Sequence, residues 1–292
     1  MKTQVYDRDK HELIEINETQ AGAINFLYKT KLGVILLNLL ISRPIFSKIT
    51  SFYYKSRLSK KKIHKFITEN NIDTSNIDIN SFRNFNDFFT RENKQLKIDT
   101  NTDTWELISP AQSKVMVYNI DSNSTRVKVK QVEYTVSEII GDQEQAGKFI
   151  GGYCVVFRLS TTDYHRYIYV DDGNLVGKQR KIVGRLHTVR DEASNYRVLA
   201  KNSREVSLWD TSHLGMMAVV EVGALTIGKI VNHPYTSNIH RGKEKGYFEY
   251  GGSTIVIFIQ KDRVTIDKDI QEQSKLGIET IVNIGERIGE II

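Results

Sequence analysis

Gly251-Gly252-Ser253-Thr254 stands at the mouth of the apolar, β-branched run Ile255-Val256-Ile257-Phe258, and it sets a hydroxyl beside two residues without side chains. Glycine reaches backbone angles closed to other residues, so Gly251-Gly252 can present a bent, accessible peptide bond to Ser253. Attack of the Ser253 hydroxyl on the Gly252 carbonyl would turn that peptide into an ester. Elimination would then leave a dehydroalanine, and its hydrolysis would leave a pyruvoyl group at the head of a 253–292 chain. Such a group is a built-in electrophile, able to replace pyridoxal phosphate as an electron sink. Taken alone, the tetrapeptide reads as a turn, because glycine is the usual punctuation before a strand.

A second constellation lies upstream. Val155-Val156-Phe157-Arg158-Leu159 runs into Ser160-Thr161-Thr162-Asp163-Tyr164-His165-Arg166-Tyr167, an apolar strand followed by a polar, aromatic stretch with one histidine. Between it and the glycines come Gly184-Arg185-Leu186-His187-Thr188-Val189, Asn202-Ser203-Arg204-Glu205, Val222-Gly223-Ala224-Leu225-Thr226-Ile227-Gly228-Lys229-Ile230 and Lys243-Glu244-Lys245-Gly246-Tyr247-Phe248. Further upstream are Phe85-Asn86-Asp87-Phe88-Phe89-Thr90-Arg91 and Ser109-Pro110-Ala111. In this order and spacing the chain resembles the phosphatidylserine decarboxylase proenzymes, particularly the branch whose processing site reads Gly-Gly-Ser-Thr. The resemblance spans residues 80–290, with a weaker echo in the N-terminal helical part.

The resemblance implies a set of roles. Ser253 is the pyruvoyl precursor and Gly252 carries the carbonyl it attacks, so the cofactor is a pyruvoyl group made from the chain itself. Decarboxylating an α-amino acid leaves a carbanion that the pyruvoyl system can delocalise and a protein acid must then protonate. Histidine suits that task at neutral pH. His165 is the candidate, since it matches the family's Asp-Tyr-His-Arg histidine. His187 is a second candidate, for positioning or contact with the substrate phosphate. The cut chains 1–252 and 253–292 are expected to stay associated, with a homodimer kept open as the assembly.

Two positions depart from the family pattern. The family usually reads Pro-Ala-Asp or Pro-Cys-Asp, where the aspartate joins a histidine and the serine in a relay that drives self-cleavage. Here that position is Gln112. Glutamine can hold a histidine by a hydrogen bond but cannot stabilise the imidazolium with a charge. In a serine-protease relay the aspartate-to-amide change costs about four orders of magnitude in rate. The second departure is Ile168, where many members carry another histidine. Asp163 and Glu249 are carboxylates that could supply the missing charge.

The elements that must position these residues follow from pattern. With 292 residues, 40% of them hydrophobic, the chain can bury a substantial core in one or two domains. From Thr19 to Asn71 the period is helical, and Leu32–Ile41 is strongly apolar until Arg43 and Pro44 stop it. That run falls short of the about 20 apolar residues that cross a bilayer. Lys55, Arg57, Lys60, Lys61 and Lys62 follow it, interleaved with Phe52, Tyr53, Tyr54 and Leu58. Such a pair of helices can lie in the interface of an anionic membrane, or pack on the domain with a solvated lysine face. Asn70 to Asn80 reads as a connector. From Trp105 onward the pattern turns to strands at 114–118, 126–129, 153–159, 217–222, 225–231 and 254–259, with a short helix over 136–140. The fold class is α+β, a helical, membrane-associating region over 1–104 followed by a mainly antiparallel β core over 105–292.

Composition narrows the partners. The net charge of +6 suits an anionic bilayer but is no nucleic-acid signature. The one cysteine, Cys154, excludes intrachain disulfides, fits a reducing compartment and sits in an apolar strand as a structural thiol. Met1 to Glu18 is charged throughout and carries no secretory apolar segment. No histidine–cysteine cluster stands at metal-ligand spacing, and no Gly-x-Ser-x-Gly elbow supports a hydrolase. Three functions remain: decarboxylation of phosphatidylserine to phosphatidylethanolamine at the cytoplasmic face of a membrane, decarboxylation of a soluble amino acid or related amine, or an uncleaved relative that binds phospholipid or a partner without catalysis.

Overall fold

The computed structural model describes residues 2–17, 21–75, 77–93, 96, 98, 105–188, 190–225, 229–234, 238–251 and 253–292. Its centre is an eleven-stranded sheet. Ser253–Ile259 occupies the middle, antiparallel to Gly215–Gly223 on one side and Tyr153–Leu159 on the other. Tyr153–Leu159 in turn pairs with Ser113–Asn119, which pairs with Glu279–Val282. A strand clothed on both faces reads as an unbroken apolar run, which explains Thr254-Ile-Val-Ile-Phe-Ile. Ile255, Ile257 and Ile259 enter one hydrophobic cluster with Phe157, Trp209 and Phe248. Val256 and Phe258 enter another with Phe149, Ile139 and Val220. Fully burying each such side chain is worth about 1.5–3 kcal/mol, so this strand is the most firmly held platform in the molecule.

Residues 2–17 depart from the helical N-terminal region expected from residue 1. Lys2–Asp7 and Glu12–Asn17 form an antiparallel hairpin, and Lys2–Asp7 lies parallel to Glu279–Val282 at the sheet's edge. Arg8, in the turn, fastens the hairpin by reaching Asp269 at 2.7 Å, Glu286 at 2.7 Å and Asp267 at 3.0 Å. Helix begins at Ala21. Helices α1 (Ala21–Lys29) and α2 (Lys31–Leu36) meet where Gly33 crosses Phe26, and a Cβ there would fall 2.0 Å from the Phe26 carbonyl oxygen. A wide helical turn, Leu37–Ile41, continues α2. Helix α3 (Pro44–Lys55) starts on a proline whose missing N–H costs nothing at that position. Helices α4 (Lys62–Asn70) and α5 (Phe85–Phe89) follow, α5 capped by the Asn84 side chain on Asp87 N.

No single helix among the described residues is long and apolar enough to cross a membrane. Ala21–Lys29 and Lys31–Ile41 reach that length only together, across a bend of 87°. Of the expected strand over 225–231, Ile230 and Val231 lie in the short strand Ile230–Asn232, Leu225 sits in a turn and Lys229 outside any strand, and Thr226, Ile227 and Gly228 lie outside the described residues. The expected helix over 136–140 is present and carries a capping box between Thr135 and Glu138.

Candidate active site

The site grows from the end of the central strand. Ser253 is its first residue, facing Leu159 on one neighbour and Gly223 on the other. Two loops therefore leave the sheet beside it, one carrying Ser160 to His165 and the other Ala224 onward. Gly251 holds φ at +139°, a value that side chains oppose, so the turn into the strand needs glycine there. Gly252, the expected carbonyl donor, lies outside the described residues. The Ser253 side chain is fully buried, and its Oγ has no hydrogen-bond partner among the described residues. A buried hydroxyl without a partner forfeits about 1–3 kcal/mol, so this one contributes nothing to stability through hydrogen bonding.

His165 is likewise fully buried, and its Nε2 has no hydrogen-bond partner among the described residues. Nδ1 lies 2.8 Å from the Asp163 main-chain oxygen. A carbonyl only accepts, so Nδ1 carries the hydrogen and Nε2 keeps its lone pair. Phe89 covers the ring at 4.1 Å between centroids, and the Phe248 N–H donates to the His165 carbonyl at 3.0 Å. Burial pushes the imidazole down to about 3, with the Arg91 and Lys114 charges adding to the effect and the Asp163 and Gly251 backbones opposing it. Gly251 thus borders His165 while standing two residues from Ser253.

An aromatic cluster holds the approach to the turn. Tyr250 packs on Tyr54 of α3 at 4.5 Å, Phe85 at 4.9 Å and Phe89 at 5.1 Å. Its neighbour Glu249 is buried and accepts from Ser51 Oγ at 3.2 Å, with Lys55 Nζ at 2.7 Å and Lys229 Nζ at 3.5 Å.

Gln112 is half-buried, and its Oε1 accepts the Tyr164 N–H at 2.7 Å. It therefore steadies the loop one residue before His165 instead of bonding the imidazole. Neither carboxylate considered as a substitute bonds the ring. The Asp163 carboxylate is taken by Lys114 Nζ at 2.6 and 2.7 Å and by the Ser160 N–H at 2.7 Å. Glu249 faces α3 and Lys229. Ile168 is buried in the main hydrophobic cluster, and its N–H donates to the Pro110 carbonyl at 3.0 Å.

His187 reaches the same sheet end by another route. Asn202 Nδ2 donates to the His187 and Gly223 carbonyls, each at 2.8 Å, and Gly223 is the register partner of Ser253. The ring stacks on Tyr196 at 4.2 Å, with Tyr28 Oη 3.2 Å from Nδ1. Burial, with the Arg185 charge adding, pushes it down to about 4. Residue types alone give no reason to single out Phe89, Arg91, Lys114, Tyr28 or Tyr250. The Phe-Phe-Thr-Arg run was the available signal for the first two.

Comparison with known proteins identifies the family this chain resembles. The pattern of the phosphatidylserine decarboxylase family matches residues 85–290. The chain is 42% identical over 292 residues to phosphatidylserine decarboxylase proenzyme 2 of Clostridium acetobutylicum, covering 99% of each. It is 41% identical over 276 residues to the phosphatidylserine decarboxylase proenzyme of Clostridium perfringens, covering 91% of this chain and 92% of that one. To the Clostridium novyi proenzyme of the same description it is 36% identical over 294 residues, covering 98% of each.

Proposed function

We propose, for a chain that belongs to the phosphatidylserine decarboxylase family, self-cleavage between Gly252 and Ser253 followed by pyruvoyl-dependent decarboxylation of phosphatidylserine to phosphatidylethanolamine. The observation that carries this reading is the pair of buried atoms, Ser253 Oγ and His165 Nε2, both without a hydrogen-bond partner among the described residues and both beside the Gly251 turn. His165 takes the Oγ proton through its free Nε2 lone pair. Oγ bonds to the Gly252 carbonyl carbon as the C–N bond breaks, giving an ester and freeing the Ser253 amine. Loss of the Ser253 α-proton expels the Gly252 carboxylate, and water then releases ammonia and leaves the pyruvoyl group. That group supplies the electron sink for decarboxylation. The buried hydroxyl and the glycine conformation both fit its formation from Ser253.

The proton transfer is uphill. An imidazole at about 3 instead of 6.5 makes the imidazolium costlier by about 5 kcal/mol at most, at 1.36 kcal/mol per unit. No carboxylate bonds the ring to offset this, so maturation is slow, which a reaction needed once per molecule tolerates. The want of a carboxylate on the His165 ring, with the Arg91 and Lys114 cations nearby, also gives the uncleaved, lipid-binding relative its one support.

The membrane reading rests on α3 and its flanks. Ile45, Ile49 and Phe52 line one stripe of α3, 65%, 66% and 80% exposed, and Leu39 and Leu58 extend it. Exposed Lys48, Lys55, Arg57, Lys60 and Lys61 border the stripe. An apolar patch rimmed by cations suits peripheral docking on an anionic bilayer, here its cytoplasmic face. Intact-mass analysis after prolonged incubation tests the core of the proposal. Chains of 1–252 and 253–292 are expected, the second blocked by pyruvoyl, and Ser253→Ala should abolish both. A wild-type chain that stays whole favours the non-catalytic reading.

A further inference from the structure

Helix α3 carries two stripes on opposite sides. Ile45, Ile49 and Phe52 point outward, while Ser47, Ser51 and Tyr54 point inward. A two-residue offset between the stripes is about 200° of helical rotation, which puts them back to back. The inward stripe lands on the segment that leads to the scissile bond. Ser51 and Lys55 hold the Glu249 carboxylate, and Tyr54 packs on Tyr250 at 4.5 Å. Glu249 is only 3% exposed, yet it lies against three groups from two other parts of the chain, Ser51, Lys55 and Lys229. Its own N–H donates to the Lys229 carbonyl at 3.0 Å.

We infer that Glu249 is a positioning residue for self-cleavage: pinned by Ser51 and Lys55 of α3 and by Lys229, it fixes where the Gly251–Ser253 turn leaves the aromatic cluster and so sets the Gly252 carbonyl against Ser253 Oγ. The inference rests on the self-cleavage reading above. The physical reason is reach. Gly251 and Gly252 have no side chains to anchor them, so the last anchored side chain before Ser253 is that of Tyr250. Ser253 is itself immobilised by the sheet on both sides. The other end of that short span is Glu249 and Tyr250. An attack distance near 3 Å tolerates little slack, and a misplacement of about 1 Å can cost about a hundredfold in rate. A carboxylate buried to this degree is expensive unless it is paired, and the Lys55 and Lys229 ammonium groups pair it. The helix that holds it is also the helix proposed to face the bilayer, so one rigid element serves docking and maturation.

The test follows self-cleavage of the full chain by intact mass, with and without hydroxylamine, which captures the ester. Four proteins are compared: the parent, Glu249→Gln, Lys55→Glu, and the charge-swapped double variant Lys55→Glu/Glu249→Lys. Glu249→Gln should cleave about tenfold more slowly or worse. Hydroxylamine should not restore it, because the lost step precedes the ester. Lys55→Glu, altered at a half-exposed partner, should slow in the same way without unfolding. The double variant should cleave faster than Lys55→Glu, since the 55–249 pair is re-formed with its signs exchanged, while Lys229 against the new lysine keeps it below the parent. Glu249→Gln cleaving like the parent would overturn the inference while leaving self-cleavage intact. So would a double variant as slow as the singles, or a Glu249→Gln defect that hydroxylamine cures. A parent that never cleaves overturns both readings together.

Discussion

Acid should unfold this protein through His165, and the size of the effect can be worked out. The imidazole titrates at about 3 in the folded chain, depressed first by burial and then by Arg91 and Lys114, against an ordinary value of 6.5. The folded state therefore refuses a proton that the unfolded state accepts as pH falls below 6.5. Stability from this group is fully present above that value and is lost on the way down towards 3. Between pH 7 and pH 5 the loss amounts to about 2 kcal/mol, a large share of the 5–15 kcal/mol that holds an ordinary domain together. This window avoids Glu279, which burial pushes up but Arg158 and Lys130 hold down at about 2, so it stays ionised throughout. His187, at about 4, pulls in the same direction as His165 and must be held constant. The comparison is thus Ser253→Ala against Ser253→Ala/His165→Gln, uncleavable chains that share His187. Urea midpoints at pH 7, 6 and 5 should fall more steeply for the chain that keeps His165, by about 2 kcal/mol over the interval. The imidazole resonance of His165 should stay that of a neutral ring with hydrogen on Nδ1 throughout. Parallel urea profiles for the two proteins, or a His165 midpoint near 6.5, would refute the burial argument and the tautomer drawn from it.

Gln112→Asp should raise the self-cleavage rate by about tenfold, or about 1.4 kcal/mol of barrier, by placing a charge one residue from the histidine that must become cationic. An unchanged or lower rate in side-by-side time courses would mean that charge at 112 does not reach the ring. Ile49→Asp/Phe52→Asp should abolish co-sedimentation with phosphatidylserine-containing vesicles, and parent binding should weaken as salt rises, because screening shortens the reach of Lys60 and Lys61. Arg8→Ala should destabilise the fold by about 2 kcal/mol in urea titration, since it takes the cation from Asp269 and Glu286 and leaves Asp267 with Arg287 alone. It should also loosen the hairpin over residues 2–17, read as faster amide exchange there.

What was legible in the sequence was local. The central strands announce themselves through β-branched runs, and the Gly-Gly-Ser turn and the Asp-Tyr-His-Arg loop carry their chemistry within a few residues. The hairpin over 2–17 does not. Its alternation is broken by charge, and its place beside Glu279–Val282 depends on a pairing between the two ends of the chain. Glu249 is visible as a carboxylate, but its partners Ser51 and Lys55 belong to a helix that only the fold brings to it. Gln112 shows most clearly what sequence can and cannot carry. An aspartate beside a catalytic histidine does two jobs, orienting the ring and stabilising its cation, and in sequence the glutamine reads as keeping the first through a hydrogen bond to the ring and losing the second. The fold separates them. Orientation is supplied by the Asp163 main-chain carbonyl, a group every residue has and no sequence can advertise, while Gln112 holds the Tyr164 N–H and keeps the same loop in place. Only the charge is missing, and the nearest carboxylate in sequence, Asp163, is already neutralised by Lys114. The deficit therefore falls on the height of the barrier and not on the geometry of attack, which is the kind of defect a single charge can repair.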